Sequence, residues 1–217
     1  LHAGAAASWI TDLVWDRMMR INPKGLPEPW AAESYKWVDD KTIDLTLRAG
    51  MKWHDGKPVT VDDVVFTFGE IGAMAPMYAP FLTVIDKVEK TGDRTVRMTL
   101  KTPSAPFLTS TLAKVNLTPA HIWRPIVADL KAKGQTLDSY QPEELIGSGP
   151  YKFVHWRRNA EVLLTANKDH WAAPKAERWI LRIVPNMEAT LGMMKQGEIN
   201  FLSEYRGDYE TLIQVAK

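Results

Sequence analysis

Cysteine is absent from the 217 residues, which removes disulfide frameworks, thiolate zinc sites and cysteine nucleophiles at once, although an oxidising compartment is compatible with having none. An excess of one charge is missing too. With 27 basic against 26 acidic side chains the formal net charge is +1, so there is no basic footprint of the kind nucleic acid or an anionic membrane demands, and no nucleic-acid partner is expected. Long apolar runs are also lacking. The most apolar windows, 180–184 and 105–117, are short or broken by polar residues, far from the roughly 20 residues that span a bilayer, and no membrane insertion is expected. Histidine is sparse and scattered: His2, His54, His121, His155 and His170 stand too far apart for two of them to share a helix face as a zincin pair does. The expectation is therefore no catalytic metal and no cofactor.

What is present suits a globular domain: 45% hydrophobic residues are enough for a sizeable core. Ser8 is placed to cap a helix in which Ile10, Leu13, Val14, Met18 and Ile21 recur at three- and four-residue spacing, ending at Asn22-Pro23. Pro23, Gly25, Pro27 and Pro29 then read as a rigid connector and a first domain crossing. Strict alternation predicts strands over 42–48 (Ile43, Leu45, Leu47) and 95–101 (Val96, Met98, Leu100). Between them Asp55-Gly56 marks a tight turn, and Thr60 opens a helix from Val61 to about Gly72 with acidic residues in its first turn. Helical character is expected around 107–115 and over 126–133. Past Gly147-Ser148-Gly149-Pro150 the texture turns to strands, at 151–156, 161–166 and 178–184, with a turn at Arg158-Asn159. Asn186 caps a helix that Gly197 ends, 199–202 reads as a short strand, and a last helical pattern begins near Gly207.

Catalytic constellations are not evident. Gly147-Ser148-Gly149 fits neither a nucleophile elbow nor a phosphate loop, and reads as a backbone turn. Asp39-Asp40 reads as a turn before a strand and Asp62-Asp63 as a helix cap, not as acid–base pairs. Arg157-Arg158 reads as a solvated hairpin tip. Most of the nine tryptophans are assigned to the core. Tyr78, in the proline-bounded run Ala75-Pro76-Met77-Tyr78-Ala79-Pro80, reads either as a loop anchor or as a pocket residue.

One set of ordered matches is specific. Trp30-Ala31-Ala32-Glu33-Ser34, then Leu45 to Leu47, then Arg48-Ala49-Gly50-Met51-Lys52-Trp53-His54-Asp55-Gly56-Lys57-Pro58-Val59-Thr60 and Asp63-Val64-Val65-Phe66, resembles the signature of family 5 extracellular solute-binding proteins, the dipeptide, oligopeptide and nickel-binding group. Val96 to Pro103 with Ala105-Pro106-Phe107, Gly147-Ser148-Gly149-Pro150-Tyr151, Asn167 to Trp171 and Gly197-Glu198-Ile199-Asn200 follow in the same order. Trp30, Tyr35, Ser148 and Asn200 depart from the residues usual in that group.

The resemblance implies an α/β, periplasmic binding protein-like fold of class II type. It also implies that the chain is the first part of a longer protein, an expectation that a helical pattern running to the end suits; Leu1 is not preceded by a basic-then-apolar leader, so a signal peptide is expected either to have been removed or to lie outside this sequence. Residues 1–22 and 148–217 would belong to a discontinuous first lobe and 23–147 to a smaller inserted domain, with a second lobe beyond this chain. The implied function is non-enzymatic: a periplasmic or extracytoplasmic substrate-binding component of a bacterial ABC importer, delivering a peptide or similar solute to a permease. Alternatives are a non-peptide ligand such as a metal chelate, opine or sugar, or the ligand-sensing domain of a regulator. Carried over by resemblance, the ligand-lining positions are Ala3, Gly4, Ala5, Tyr78, Ser203 and Glu204.

Overall fold

The computed structural model describes residues 5–142, 144–202 and 208–216. They gather into two compact units, the first holding residues up to Phe153 together with Thr165–Glu177, the second Val154–Leu164 and the residues from Arg178 onward. This grouping keeps the first helix with residues 23–147.

The first unit opens with α1 (Ala5–Val14). Its apolar stripe predicts a longer helix, yet the backbone leaves the helical path after Val14, because there the chain meets Gly147–Gly149: the Gly149 N–H donates to the Val14 carbonyl at 2.8 Å and the Asp16 N–H to Ser148 Oγ at 3.3 Å. Ser8 accordingly lies inside α1, not ahead of it. Met18 and Met19 are fully buried all the same, now from an extended segment. β1 (Met19–Ile21) pairs antiparallel with β2 (Pro27–Pro29), so the expected rigid connector is the turn and the second strand of a hairpin. Asn22 Oδ1 accepts the Lys24 and Leu26 N–H groups, and Gly25 adopts φ +79° in the turn.

A four-stranded antiparallel sheet carries most of the core. In chain order its strands are β3 (Ala32–Trp37), β4 (Thr42–Leu47), β5 (Ile85–Lys90) and β6 (Thr95–Leu100), arranged β3-β4-β6-β5. Ile43 lies opposite Met98 and Leu45 opposite Val96, all buried on one face. Asp44 lies opposite Arg97 on the other face, its carboxylate taking both guanidinium N–H groups at 2.7 and 2.8 Å. This is the alternation of a sheet with one dry and one wet face.

Between β4 and β5 runs α2 (Val61–Val65), which widens into a π-helical stretch over Phe66–Glu70 that buries Phe66, Thr67 and Phe68 together. A short α3 (Ala79–Leu82) follows. Phe107–Leu112 is again π-helical, and α4 spans Ala120–Ala132, starting earlier than its exposed half suggests.

β7 (Tyr151–Arg157), β8 (Glu161–Ala166) and β9 (Arg178–Arg182) form a three-stranded sheet in that order, most of it in the second unit. Asn159 turns the first hairpin at φ +59°. Trp156 is an exception to the expectation that most tryptophans lie in the core: it is 59% exposed, since it stands near the hairpin tip. α5 (Met187–Lys195) is capped by Asn186, whose side chain accepts the Ala189 N–H at 2.8 Å, and α6 covers Tyr209–Ala216. Residues 199–202 form no strand. No helix among the described residues is long and apolar enough to cross a membrane.

Candidate functional site

Of the six positions carried over by resemblance, Ala3, Gly4, Ser203 and Glu204 lie outside the described residues, and Ala5 is the first residue of α1. Tyr78 is the one whose side chain can be placed, and it is 5% exposed. It is neither a surface anchor nor an open arm. Its ring sits over a cavity of about 10 Å³ with Trp15, Asn116, Leu117, Thr118 and Trp123. Burial pushes its hydroxyl up to about 12 against the opposing pull of nearby Arg17 and of hydrogen bonds with Asn116. Tyr78 therefore works as a neutral phenol.

Arg17 organises the polar side of this region. Its Nε donates to Asn116 Oδ1 at 2.8 Å, Nη1 to the Ala113 carbonyl at 3.1 Å and Nη2 to Asp12. Partial burial raises the Asp12 carboxyl above its ordinary value, although Arg17 and Lys114 oppose this. Neither Arg17 nor Asn116 carries a sequence signal; the isolated bridge between them joins segments far apart in the chain.

A second and larger polar cluster lies under Gly147-Ser148-Gly149-Pro150. His54 Nδ1 accepts the Gly147 N–H at 3.2 Å, so the proton sits on Nε2, which donates to the Gly149 carbonyl at 3.0 Å. Burial holds the imidazole pKa below its usual value, and the ring is a neutral clip between two backbone groups. His170 is fixed the same way: Nδ1 accepts the Ala172 N–H at 3.0 Å, leaving Nε2 to donate to Asp16, 3.2 Å from Oδ1. Asp16 Oδ1 also takes the Trp30 indole N–H at 2.7 Å. Trp30 in turn meets Trp171 in a tilted pair, 4.4 Å between centroids and 59° between ring planes, with Arg20 over one ring and Arg48 over the other.

Asp63 shows the same economy. It accepts the Thr60 N–H at 2.7 Å and Thr60 Oγ1 at 3.1 Å as a helix-capping box, the Ala120 N–H at 2.8 Å and the Trp53 indole at 3.3 Å. Asp62 pairs with Arg124 on the surface. Residues within the matching runs, Trp30, Trp53, His54, Asp63, Ser148, Asn167 and His170, thus hold backbone groups, Asp16 and one another. Among the described residues no cluster of three or more His, Asp or Glu side chains is placed to hold a metal ion.

Beneath that second cluster lies a cavity of about 50 Å³. Neither it nor the Tyr78 cavity approaches the roughly 300–1,000 Å³ of a small-molecule site. The geometry is that of an architectural unit whose polar residues organise backbone.

A mixed α/β chain of this topology is built as a periplasmic binding protein is built. The chain belongs to the bacterial extracellular solute-binding proteins, family 5: residues 27–217 match the family described as "Bacterial extracellular solute-binding proteins, family 5 Middle". It is 32% identical over 218 aligned residues, 95% of this chain, to the oligopeptide-binding protein AppA of Bacillus subtilis, and spans 38% of that relative's length. The solved structure of Bacillus subtilis AppA in complex with a nonapeptide superposes with a TM-score of 0.82 at 27% identity, covering 92% of this chain and 40% of that one. NikZ from Campylobacter jejuni in complex with Ni(L-His) matches with a TM-score of 0.73 at 25% identity, over 87% of this chain and 37% of that one.

Proposed function

We propose that the chain is part of the substrate-binding component of a bacterial ABC importer, that it works outside the cytoplasm, and that its solute is a peptide handed to a membrane permease without chemical change. The observation that carries this reading is the likeness to AppA along almost the whole chain, since the superposed relative was solved holding a nonapeptide. The small size of both cavities supports it physically. A solute would meet this chain on an open surface and become enclosed only when a second lobe closes over it.

In that arrangement residues 1–22 and 148–217 contribute to one lobe and 23–147 form the inserted domain, with Ala3, Gly4, Ala5, Tyr78, Ser203 and Glu204 towards the ligand. Tyr78, being buried, would act as a wall of that surface. A second reading, a chelated metal in place of a peptide, draws on the likeness to NikZ with Ni(L-His). Mass spectrometry of ligand released from the full-length protein, followed by calorimetry with peptide pools and with metal chelates, opines and sugars, separates the two. Peptide in the released fraction and binding of a pool is the expected result. Binding of a chelate, opine or sugar with no response to peptides would reject the first reading.

A further inference from the structure

We propose that the cavity beneath Gly147–Pro150 is a resident-water site, in which one ordered water accepts a hydrogen bond from the Ser148 hydroxyl and donates one to Asn167 Oδ1. Asn167 is buried, and its side-chain orientation follows from its neighbours. Nδ2 donates to the Gly149 carbonyl at 3.2 Å. Turning the amide over would set Oδ1 against that carbonyl, acceptor against acceptor, so the orientation is fixed. Oδ1 is left as a buried acceptor without a hydrogen-bond partner among the described residues. An unmet buried acceptor costs about 1–3 kcal/mol, and interiors meet such groups with protein or with ordered water.

Ser148 shows the complementary need. Its residue is 1% exposed, and Oγ accepts the Asp16 N–H at 3.3 Å, which leaves the hydroxyl proton to be donated. Both side chains line the same cavity with His54, Lys152, Asp169 and His170. A cavity of about 50 Å³ exceeds the roughly 10–15 Å³ that one water needs, and a polar site with two or more partners is the kind that water fills. The two imidazoles do not compete for Oδ1, because each Nε2 proton is already committed, to Gly149 and to Asp16. The water would tie the 147–150 segment to the segment that begins at Asn167, completing a polar junction that the direct bonds leave one donor short.

A crystal structure of the protein at a resolution that places water provides the test, paired with measurement of water-to-amide cross-relaxation at the Asn167 side chain in solution. The expected result is a peak at hydrogen-bond distance from both Asn167 Oδ1 and Ser148 Oγ, with a cross-peak of the sign that marks a long-lived water. The proposal is overturned by a dry cavity, by a protein donor lying directly on Oδ1, or by a peak that misses Ser148. A peak whose occupancy follows ammonium concentration also overturns it, by identifying a cation. Ser148→Ala gives a second readout: a folded variant should lose the long-lived cross-peak, and one that keeps it at full intensity refutes the bridging role.

Discussion

Gly147 and Val14 stand so close that only glycine fits: a Cβ at position 147 would lie 1.9 Å from the Val14 carbonyl oxygen, well inside contact distance. Gly149 is nearly as tight, with a Cβ falling 2.7 Å from the Leu13 carbonyl. The run Gly147-Ser148-Gly149-Pro150 is therefore a close approach of two backbones, which also explains why α1 ends where it does. Gly147→Ala should destabilise the protein by an amount at or above the top of the roughly 1–3 kcal/mol range for overpacking. Urea midpoints check this, and a midpoint unchanged from wild type would refute the close approach.

Asp63 holds two backbone N–H groups, a hydroxyl and an indole. Asp63→Ala strands several buried donors at once and should cost about 3 kcal/mol or more. Asp63→Asn keeps one acceptor oxygen and should lose less. Trp53 emission, read through the melt, reports both.

His54 supplies a pH dependence with a definite sign. Burial lowers its folded pKa below the ordinary 6.5, so the unfolded chain binds the proton more readily. The neutral form's stabilising effect is complete above about 6.5 and is lost as pH falls through the folded pKa. Urea stability measured between pH 7.5 and 5.5 should therefore fall less in His54→Gln than in wild type, after allowing for the lower starting stability of the variant. Equal slopes would show that His54 does not titrate in this window.

Tyr78 ionises near 12. Alkaline difference spectroscopy of the folded protein should lose its highest-pH step in Tyr78→Phe, with a stability loss of about 1 kcal/mol for the hydrogen bonds to Asn116. A step that persists in the variant would assign the late phenol elsewhere.

Binding should depend on more protein than this chain provides. Closed sites bury roughly 70–90% of a ligand, and each 1.4 kcal/mol is about tenfold in affinity. A chain that spans 38% of its relative's length should bind the ligand of the complete protein at least ~100-fold more weakly. Calorimetry of both forms against one identified ligand decides it, and comparable affinities would place the site on this chain alone.

Legibility in the sequence followed local physics. β4 and β6 were readable because each alternates with one dry face, and the Thr60–Asp63 cap because its partners are three residues apart. β3 and β5 were not. They are the edges of the sheet, where Glu33, Ser34, Tyr35 and Lys36 on one strand and Asp86, Lys87, Glu89 and Lys90 on the other are exposed, so no alternation marks them. The over-long first helix has the opposite cause. Met18 and Ile21 extend the apolar spacing, while a backbone contact with Gly147–Gly149 ends the helix at Val14. Of the candidate site, Tyr78 was legible as a distinct aromatic, but not its burial.

The order of the motifs was sufficient by itself to place this chain among the extracellular solute-binding proteins, because turn and cap residues such as Asp55-Gly56 and Thr60-x-x-Asp63 act on neighbours a few positions away and leave a fixed pattern in the sequence. Only the tertiary structure decided what those residues touch. Asp16 meets His170 across 154 positions and His54 meets Gly149 across 95, and hydrogen bonds over such separations depend on how the chain returns on itself, which no local spacing encodes.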